Sequence, residues 1–217
     1  MYKAVVFDLD GTLTDTITTI AYYGNKALKA YGYPEIDVNM YKIFVGDGAR
    51  ILVKRMMDYV GESSPEIYEK VFKMYCEEYD KDTMYLTTVY DGMQELLKEL
   101  KARGMKLGVV SNKPHFTMID VLKNFFGEDM FDGFYGVREG VPVKPDPVSL
   151  LQILDDFGVK PTECIYVGDT KTDMMTGKNA GAYTVGVLWG FRDRAELEEH
   201  KADVIVEKPC EILGILE

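Results

Sequence analysis

The sequence predicts an α/β protein: a Rossmann-like parallel sheet flanked by helices, with a small α-helical cap inserted after the first strand. Three observations carry this. Short Val/Ile/Tyr-rich runs alternate with helical patterns from residue 88 to residue 217, as parallel strands joined by crossover helices require. Residues 15 to 87 show helical periodicity and no comparable strand. The opening run "KAVVF" is apolar enough to need cover on both faces, and it ends in two acids and a glycine. The expected division is an α/β core over 1–14 and 88–217 and a helical cap over 15–87.

In the cap, Ile17, Ile20, Ala21, Gly24, Leu28 and Tyr31 fall on one helical face, as do Leu52, Val53, Met56, Met57 and Val60. Ser64 is placed to cap a further helix, with Pro65 in its first turn and Glu66 near the positive helix end. After the chain returns near Val89, Asp91 is expected to cap a helix carrying Met93, Leu96, Leu97 and Leu100, ended by Gly104. Strands are expected at "KLGVV" (106–110), "GFYGV" (133–137), "CIYVG" (164–168), "YTVGV" (183–187) and "DVIV" (203–206). Pro147 suits a first helical turn ahead of Leu150, Leu151 and Leu154, with Gly158 as the stop, and the helix after Asp169 should end at Gly181.

The chain has 217 residues, 47% of them hydrophobic, enough for a core domain plus a small second domain. A formal net charge of −11 argues against nucleic acid or an anionic membrane surface as the main partner. It leaves room for an anionic small molecule held by a local positive centre. Met1 leads straight into a strand, without a signal-peptide pattern, and no apolar stretch approaches a membrane span. Cys76, Cys164 and Cys210 lie scattered without a CxxC pair, which reads as reduced, mostly buried thiols of a cytoplasmic protein. Monomer and dimer are both compatible with this composition.

Four segments offer chemistry, and each has a plain structural reading beside it. In "FDLDGT", Asp8 and Asp10 would sit beyond the carboxyl end of a buried strand, where open parallel sheets collect ligands. Asp and Gly are also common turn formers. In "VVSNKP", the Ser111 hydroxyl and Asn112 amide can bond an anion's oxygens, or start the helix that follows. In "VPVKPDP", Lys144 stands on a backbone stiffened by Pro142 and Pro145 and can present a point charge to a phosphate, or be an ordinary solvated lysine. In "VGDTKTD", Asp169 and Asp173 supply a third and fourth carboxylate, or simply favour the helix dipole.

Taken together, these four strand ends favour a common site. Four carboxylates plus a phosphate ester, which adds about two charges, would repel strongly. Each unit-charge repulsion at ~4 Å and an effective dielectric near 20 amounts to about 4 kcal/mol. Lys144 alone does not offset that, whereas a hard divalent cation such as Mg²⁺ together with Lys144 does.

These segments, in this order, resemble the haloacid dehalogenase superfamily of phosphatases, and look closest to its phosphoglycolate-phosphatase-like members. The similarity extends over 1–14 and 88–206, and "FVGDGAR" (44–50) is similar to that subgroup's cap. The resemblance implies a Mg²⁺-dependent phosphatase acting on a small phosphorylated metabolite through an aspartyl-phosphate. It would make Asp8 the nucleophile and Asp10 the group that protonates the leaving alcohol and then activates water. It would assign the metal to Asp8, Asp10 (through its carbonyl) and Asp169, with Asp173 supporting the shell. Phosphoryl oxygens would be held by Ser111 and Lys144, aided by backbone N–H groups near Gly11 and Asn112. The dehalogenating members lack the second aspartate, so Asp10 speaks against carbon–halogen hydrolysis. A phosphoryl transferase of the hexose-phosphate mutase type, or a non-catalytic phosphate-ligand-binding protein, could use the same core.

Other residues carry less. Arg50 can reach a substrate carboxylate with its bidentate fork, or serve as a surface arginine. His115 and His200 are expected in capping or solvated roles, and Trp189, which follows a strand end, in packing or at the border of the site. The cap is expected to close over the site through hinges near 14–16 and 84–88.

Overall fold

The computed structural model describes residues 1–216 and divides into two compact units: Met1–Asp15 together with the chain from Val89 onward, and Thr16–Thr88. In chain order the strands are β1 (Ala4–Phe7), β2 (Thr14–Asp15), β3 (Thr88–Val89), β4 (Lys106–Pro114), β5 (Gly133–Val137), β6 (Cys164–Gly168), β7 (Tyr183–Val187) and β8 (Val204–Val206). The helices are α1 (Ile17–Ala30), α2 (Val38–Phe44), α3 (Ala49–Tyr59), α4 (Pro65–Tyr79), α5 (Met93–Ala102), α6 (His115–Phe126), α7 (Val148–Phe157), α8 (Lys171–Ala180), α9 (Arg194–Glu199) and α10 (Ile212–Ile215). No helix among the described residues is long and apolar enough to cross a membrane.

The first unit is built on a six-stranded sheet of order β5-β4-β1-β6-β7-β8, with every pairing parallel. Side chains alternate across a strand. On one face Val5 and Phe7 of β1 pack with Leu96 and Leu100 of α5, Val121 of α6 and Ile212 of α10. On the other, Ala4 and Val6 pack with Leu150, Ile153 and Leu154 of α7 and Tyr166 of β6. This two-sided burial is what the apolar β1 run demands. The chain builds outward from β1 on one side through β4 and β5, then on the other through β6, β7 and β8. Strand order therefore reverses at β1, and the crevice at such a reversal lies at the strands' carboxyl ends.

The second unit consists of α1 to α4 and the segment leading to β3. Its apolar faces converge through Ile20, Ala27 and Leu28 of α1, Val53 and Met56 of α3 and Val71 of α4, all buried. Ser64 caps α4 by accepting from the Ile67 amide, with Pro65 at the first helical position. Asn25 organises the loop before α2: its Oδ1 accepts from the Ile36 amide at 2.8 Å and from the Tyr41 hydroxyl at 2.9 Å.

Several local expectations are corrected. Asp91 does not cap α5; the N-cap position is taken by Gly92 in the left-handed region, with no side-chain cap bond. Pro147 is the N-cap residue of α7 and not part of its first turn. Tyr31 leaves the buried face because α1 stops at Ala30, and its ring is exposed. Val60 lies just past the end of α3 and is half-buried. β4 runs on to Pro114, so Ser111 and Asn112 belong to the strand and cap nothing. All three cysteines are free, but only Cys164 is buried, and Cys210 is exposed because it lies in the short turn before α10.

Candidate active site

Asp8 follows β1 directly, Asp169 follows β6, and Asp173 sits in the first turn of α8. One carboxylate oxygen from each lies within 4.8 Å of the others, and all three residues are buried. β6 delivers Asp169 beside Asp8 because it pairs with β1 in register, Phe7 opposite Val167. Asp173 reaches the group through a capping box. The Thr170 hydroxyl and amide both donate to Asp173 Oδ2, at 2.7 and 3.1 Å, while the Asp173 amide returns a bond to Thr170 Oγ1. The dipole reading of Asp173 and its place in the acid cluster are thus compatible, since its other oxygen faces the cluster.

That oxygen, Oδ1, meets Lys144 Nζ at 2.7 Å, and the same ammonium stands 2.8 Å from Asp8 Oδ1. Lys144 is a buried cation and not a solvated lysine. Its loop is clamped by Asn112: the Asn112 amide donates to the Lys144 carbonyl at 3.1 Å, and the Lys144 amide donates to Asn112 Oδ1 at 2.9 Å. The Asn112 side chain thus holds the Lys144 loop through both its oxygen and its amide nitrogen. Ser111 is buried at the same end of β4, where its hydroxyl oxygen accepts from the Lys113 amide at 3.2 Å.

Asp169 is fastened from several sides. The Phe191 amide donates to its Oδ2 at 2.7 Å, and the Thr12 hydroxyl to its Oδ1 at 3.4 Å. Trp189 donates its indole N–H to the Thr12 carbonyl at 3.0 Å, so it borders the site as well as packing. Gly11 holds a φ of +90°, and a Cβ there would lie 2.4 Å from Asp169 Oδ2. Among residue types only glycine accepts that backbone with that approach. Gly190 is equally tight: its Cβ would fall 2.3 Å from Asp169 Cβ and 2.4 Å from the Gly11 carbonyl oxygen.

Asp10 is placed differently. Its side chain lies outside the three-acid group and pairs with Lys113, whose Nζ is 3.1 and 3.4 Å from the two carboxylate oxygens. Lys113 is buried on β4. Arg50, in the helical unit, lays its guanidinium 4.3 Å over the Phe72 ring and 3.2 Å from Glu69, an exposed surface arrangement. His115 accepts from the Gly136 amide through Nδ1, and burial, then Arg138, hold its imidazole below the usual range. His200 makes a ring-nitrogen contact to the Glu196 carbonyl at 2.9 Å.

Electrostatics show what the cluster lacks. Burial, and then the Asp173 charge, push Asp8 up to about 7 against the pull of Lys144. Burial, followed by Asp173 and Asp8, raises Asp169 well above the carboxylate range. Burial opposes the charge on Lys144, yet Asp173 and Asp8 outweigh it and hold the ammonium well above its ordinary value. Three formal negatives face one positive, so two charges go unbalanced within the group. Asp8 Oδ1 is buried and accepts no well-aligned hydrogen bond, despite the nearby ammonium. Hard oxygen donors with an orphaned, buried lone pair fit a divalent cation.

The sequence reading passed over Lys113, Thr12, Thr170 and Gly190. Thr170 had a signal in the T-x-x-D spacing. Lys113 lies within VVSNKP, but nothing local distinguishes it from a strand-end surface lysine. Gly190 had no local signal, since its constraint comes from two other strand ends.

The comparisons with known proteins agree with this geometry. A family model for haloacid dehalogenase-like hydrolases matches residues 5–187, and the chain belongs to that family. It is an enzyme of the hydrolase class and, within the family, phosphoglycolate-phosphatase-like. It is 29% identical to a phosphoglycolate phosphatase of Vibrio vulnificus, over 99% of this chain and 96% of that protein. Against the phosphoglycolate phosphatase of Vibrio cholerae the identity is 30%, again over 99% and 96%. The crystal structure of a predicted phosphoglycolate phosphatase from Haemophilus somnus superposes with a TM-score of 0.93 at 28% identity, covering 100% of this chain and 98% of that one.

Proposed function

We propose that the chain is a Mg²⁺-dependent phosphatase that hydrolyses the phosphate monoester of a small metabolite, with phosphoglycolate the first candidate. The observation that carries this is Asp8. It heads a buried three-acid group beside a buried lysine, with one oxygen left without an aligned donor. The similarity to phosphoglycolate phosphatases along nearly the whole chain supports the substrate class.

In this reading an Asp8 oxygen attacks phosphorus. The bond from phosphorus to the substrate's bridging oxygen breaks, and the leaving alcohol takes a proton from Asp10. Water then attacks the aspartyl-phosphate and gives its proton to Asp10. The phosphorus–Asp8 bond breaks, which frees inorganic phosphate and restores the Asp8 carboxylate. Lys144 holds a phosphoryl oxygen, with Ser111 and the backbone around Gly11 and Asn112 placed to assist. Asp8, Asp169 and the Asp10 carbonyl would hold Mg²⁺, supported by Asp173, and the ion would neutralise charge on the phosphoryl group. Buried carboxylates that lack compensation become usable ionised groups once that cation is present. A location in the cytoplasm fits the acidic composition and scattered free thiols.

The test is release of inorganic phosphate from a panel of phosphate esters, with Mg²⁺ and with EDTA, by wild type and Asp8→Asn. Hydrolysis that needs both Mg²⁺ and Asp8 supports the reading. Equal rates under all conditions, or no phosphate from any ester by folded protein, sink it. Isomerised sugar phosphate without free phosphate would identify a transferase instead, and binding without turnover a sensor.

A further inference from the structure

We infer that Lys113 is a positioning residue for Asp10, one that holds the carboxylate in place for the water-activating half of the reaction. The inference rests on the proposed phosphatase reading. It starts from a division of labour among the site's charges. Lys144 contacts Asp8 and Asp173, and Lys113 contacts Asp10. Two buried cations on the loops and strand ends facing β1 thus sort the acids into separate groups.

The geometry is specific. Lys113 Nζ lies within reach of both Asp10 oxygens, at 3.1 and 3.4 Å, and so limits rotation of the carboxylate. The two side chains are 5% and 20% exposed, so solvent screens the pair less than it would a surface ion pair. Asp10 comes directly after Leu9, and its charge is the last-ranked of the groups that raise Asp8. A carboxylate turned towards Asp8 would add to the repulsion within the acid group, and the Lys113 pair opposes that turn. Register explains why Lys113 is available: β4 continues past Val110, where its pairing with β5 becomes irregular, and carries Ser111 and Lys113 along the mouth of the sheet.

The consequence differs between the two halves of the reaction. With an aryl phosphate the leaving phenolate needs little help from an acid, so attack by Asp8 goes forward without a well-placed Asp10. Hydrolysis of the aspartyl-phosphate still needs a base aimed at water. Loss of Lys113 should therefore damage the second half more than the first.

The experiment is rapid-mixing kinetics with p-nitrophenyl phosphate and Mg²⁺ on wild type, Lys113→Met, Lys113→Gln and Lys113→Arg. Phosphoenzyme is measured after acid quench. Lys113→Met and Lys113→Gln should give a burst of about one nitrophenolate per site, a steady rate reduced about 10²-fold, and accumulated phosphoenzyme. Lys113→Arg, which keeps the charge, should recover most of the steady rate. Should Lys113→Met fail to fold, Lys113→Gln carries the same comparison. Burst rate and steady rate falling together, or no change in either, overturns the inference and leaves the phosphatase reading standing. A wild type that turns over no ester strikes that reading itself, and the inference with it.

Discussion

The backbone amide of Phe191 donates to Asp169 Oδ2 at 2.7 Å, so the loop after β7 fixes an acid at the end of β6. That contact depends on Gly190. A Cβ at this position would meet Asp169 and the Gly11 carbonyl within 2.5 Å. Gly190→Ala is expected to push the loop away and release Asp169. The Mg²⁺ concentration needed for half-maximal activity should rise about tenfold or more, as for other groups that orient metal ligands. Titration of activity with Mg²⁺ reads this directly, and an unchanged curve would show that the loop adapts.

Lys144 joins the acids of β1 and α8, and its replacement should be costly. Lys144→Met leaves Asp8 and Asp173 buried without a cation, a loss of about 3–5 kcal/mol by analogy with other broken buried pairs. Turnover should fall as well, about 10²-fold or more, because the phosphoryl contact proposed for Lys144 goes too. Urea denaturation and steady-state assays measure the two effects. Mg²⁺ should stabilise this variant more than wild type, since a divalent cation answers the same charge imbalance.

Metal removal should be visible without any substrate. If Mg²⁺ binds the folded chain and not the unfolded one, 100-fold excess over its Kd adds about 2.7 kcal/mol of stability. Thermal melts in Mg²⁺ and in EDTA should therefore differ by several degrees. Asp169→Asn should abolish the difference, and a difference that survives that change would place the ion elsewhere.

Asp203 sets an acid limit on the sheet edge. Its Oδ2 accepts from the Thr184 amide at 2.7 Å and from the Thr184 hydroxyl at 2.8 Å, and its Oδ1 pairs with Lys178. Burial raises its pKa, but Lys178 and Thr184 together outweigh that and leave it below the usual carboxylate value. The unfolded chain then binds a proton more readily than the folded one. Stability from this group is present above the ordinary value of about 3.9 and is lost as pH falls through the lower folded value. Asp203→Ala should cost about 1–3 kcal/mol near neutrality by stranding the buried Thr184 donors. Part of the wild type's loss below about pH 4 should disappear with it. Urea midpoints at pH 7 and pH 3.5 give the comparison.

Much of the frame was legible along the chain because its signals are local. The apolar runs at 133–137, 164–168 and 183–187 are strands in the structure, and Gly158 and Gly181 stop their helices in the left-handed region. Asp8, Asp169 and Lys144 stood out as chemically apt residues at strand ends, and the structure brings them together. Asp91 misled because a good capping side chain was followed by a glycine able to take the cap position in a left-handed turn. The clamp made by Asn112 was not legible for another reason: its side chain finds complementary partners in the Lys144 backbone, a contact between residues 32 apart in sequence.

Order, periodicity and residue type determined the strands, the helical insert and the set of acids, because each depends on neighbours within one turn or one strand. Pairing decided the rest. Only the folded sheet places Lys113 against Asp10, Lys144 between Asp8 and Asp173, and the bare Cα of Gly190 against Asp169. The physical reason is that charge compensation and close approach act through space across separate strand ends, at distances the one-dimensional chain does not encode.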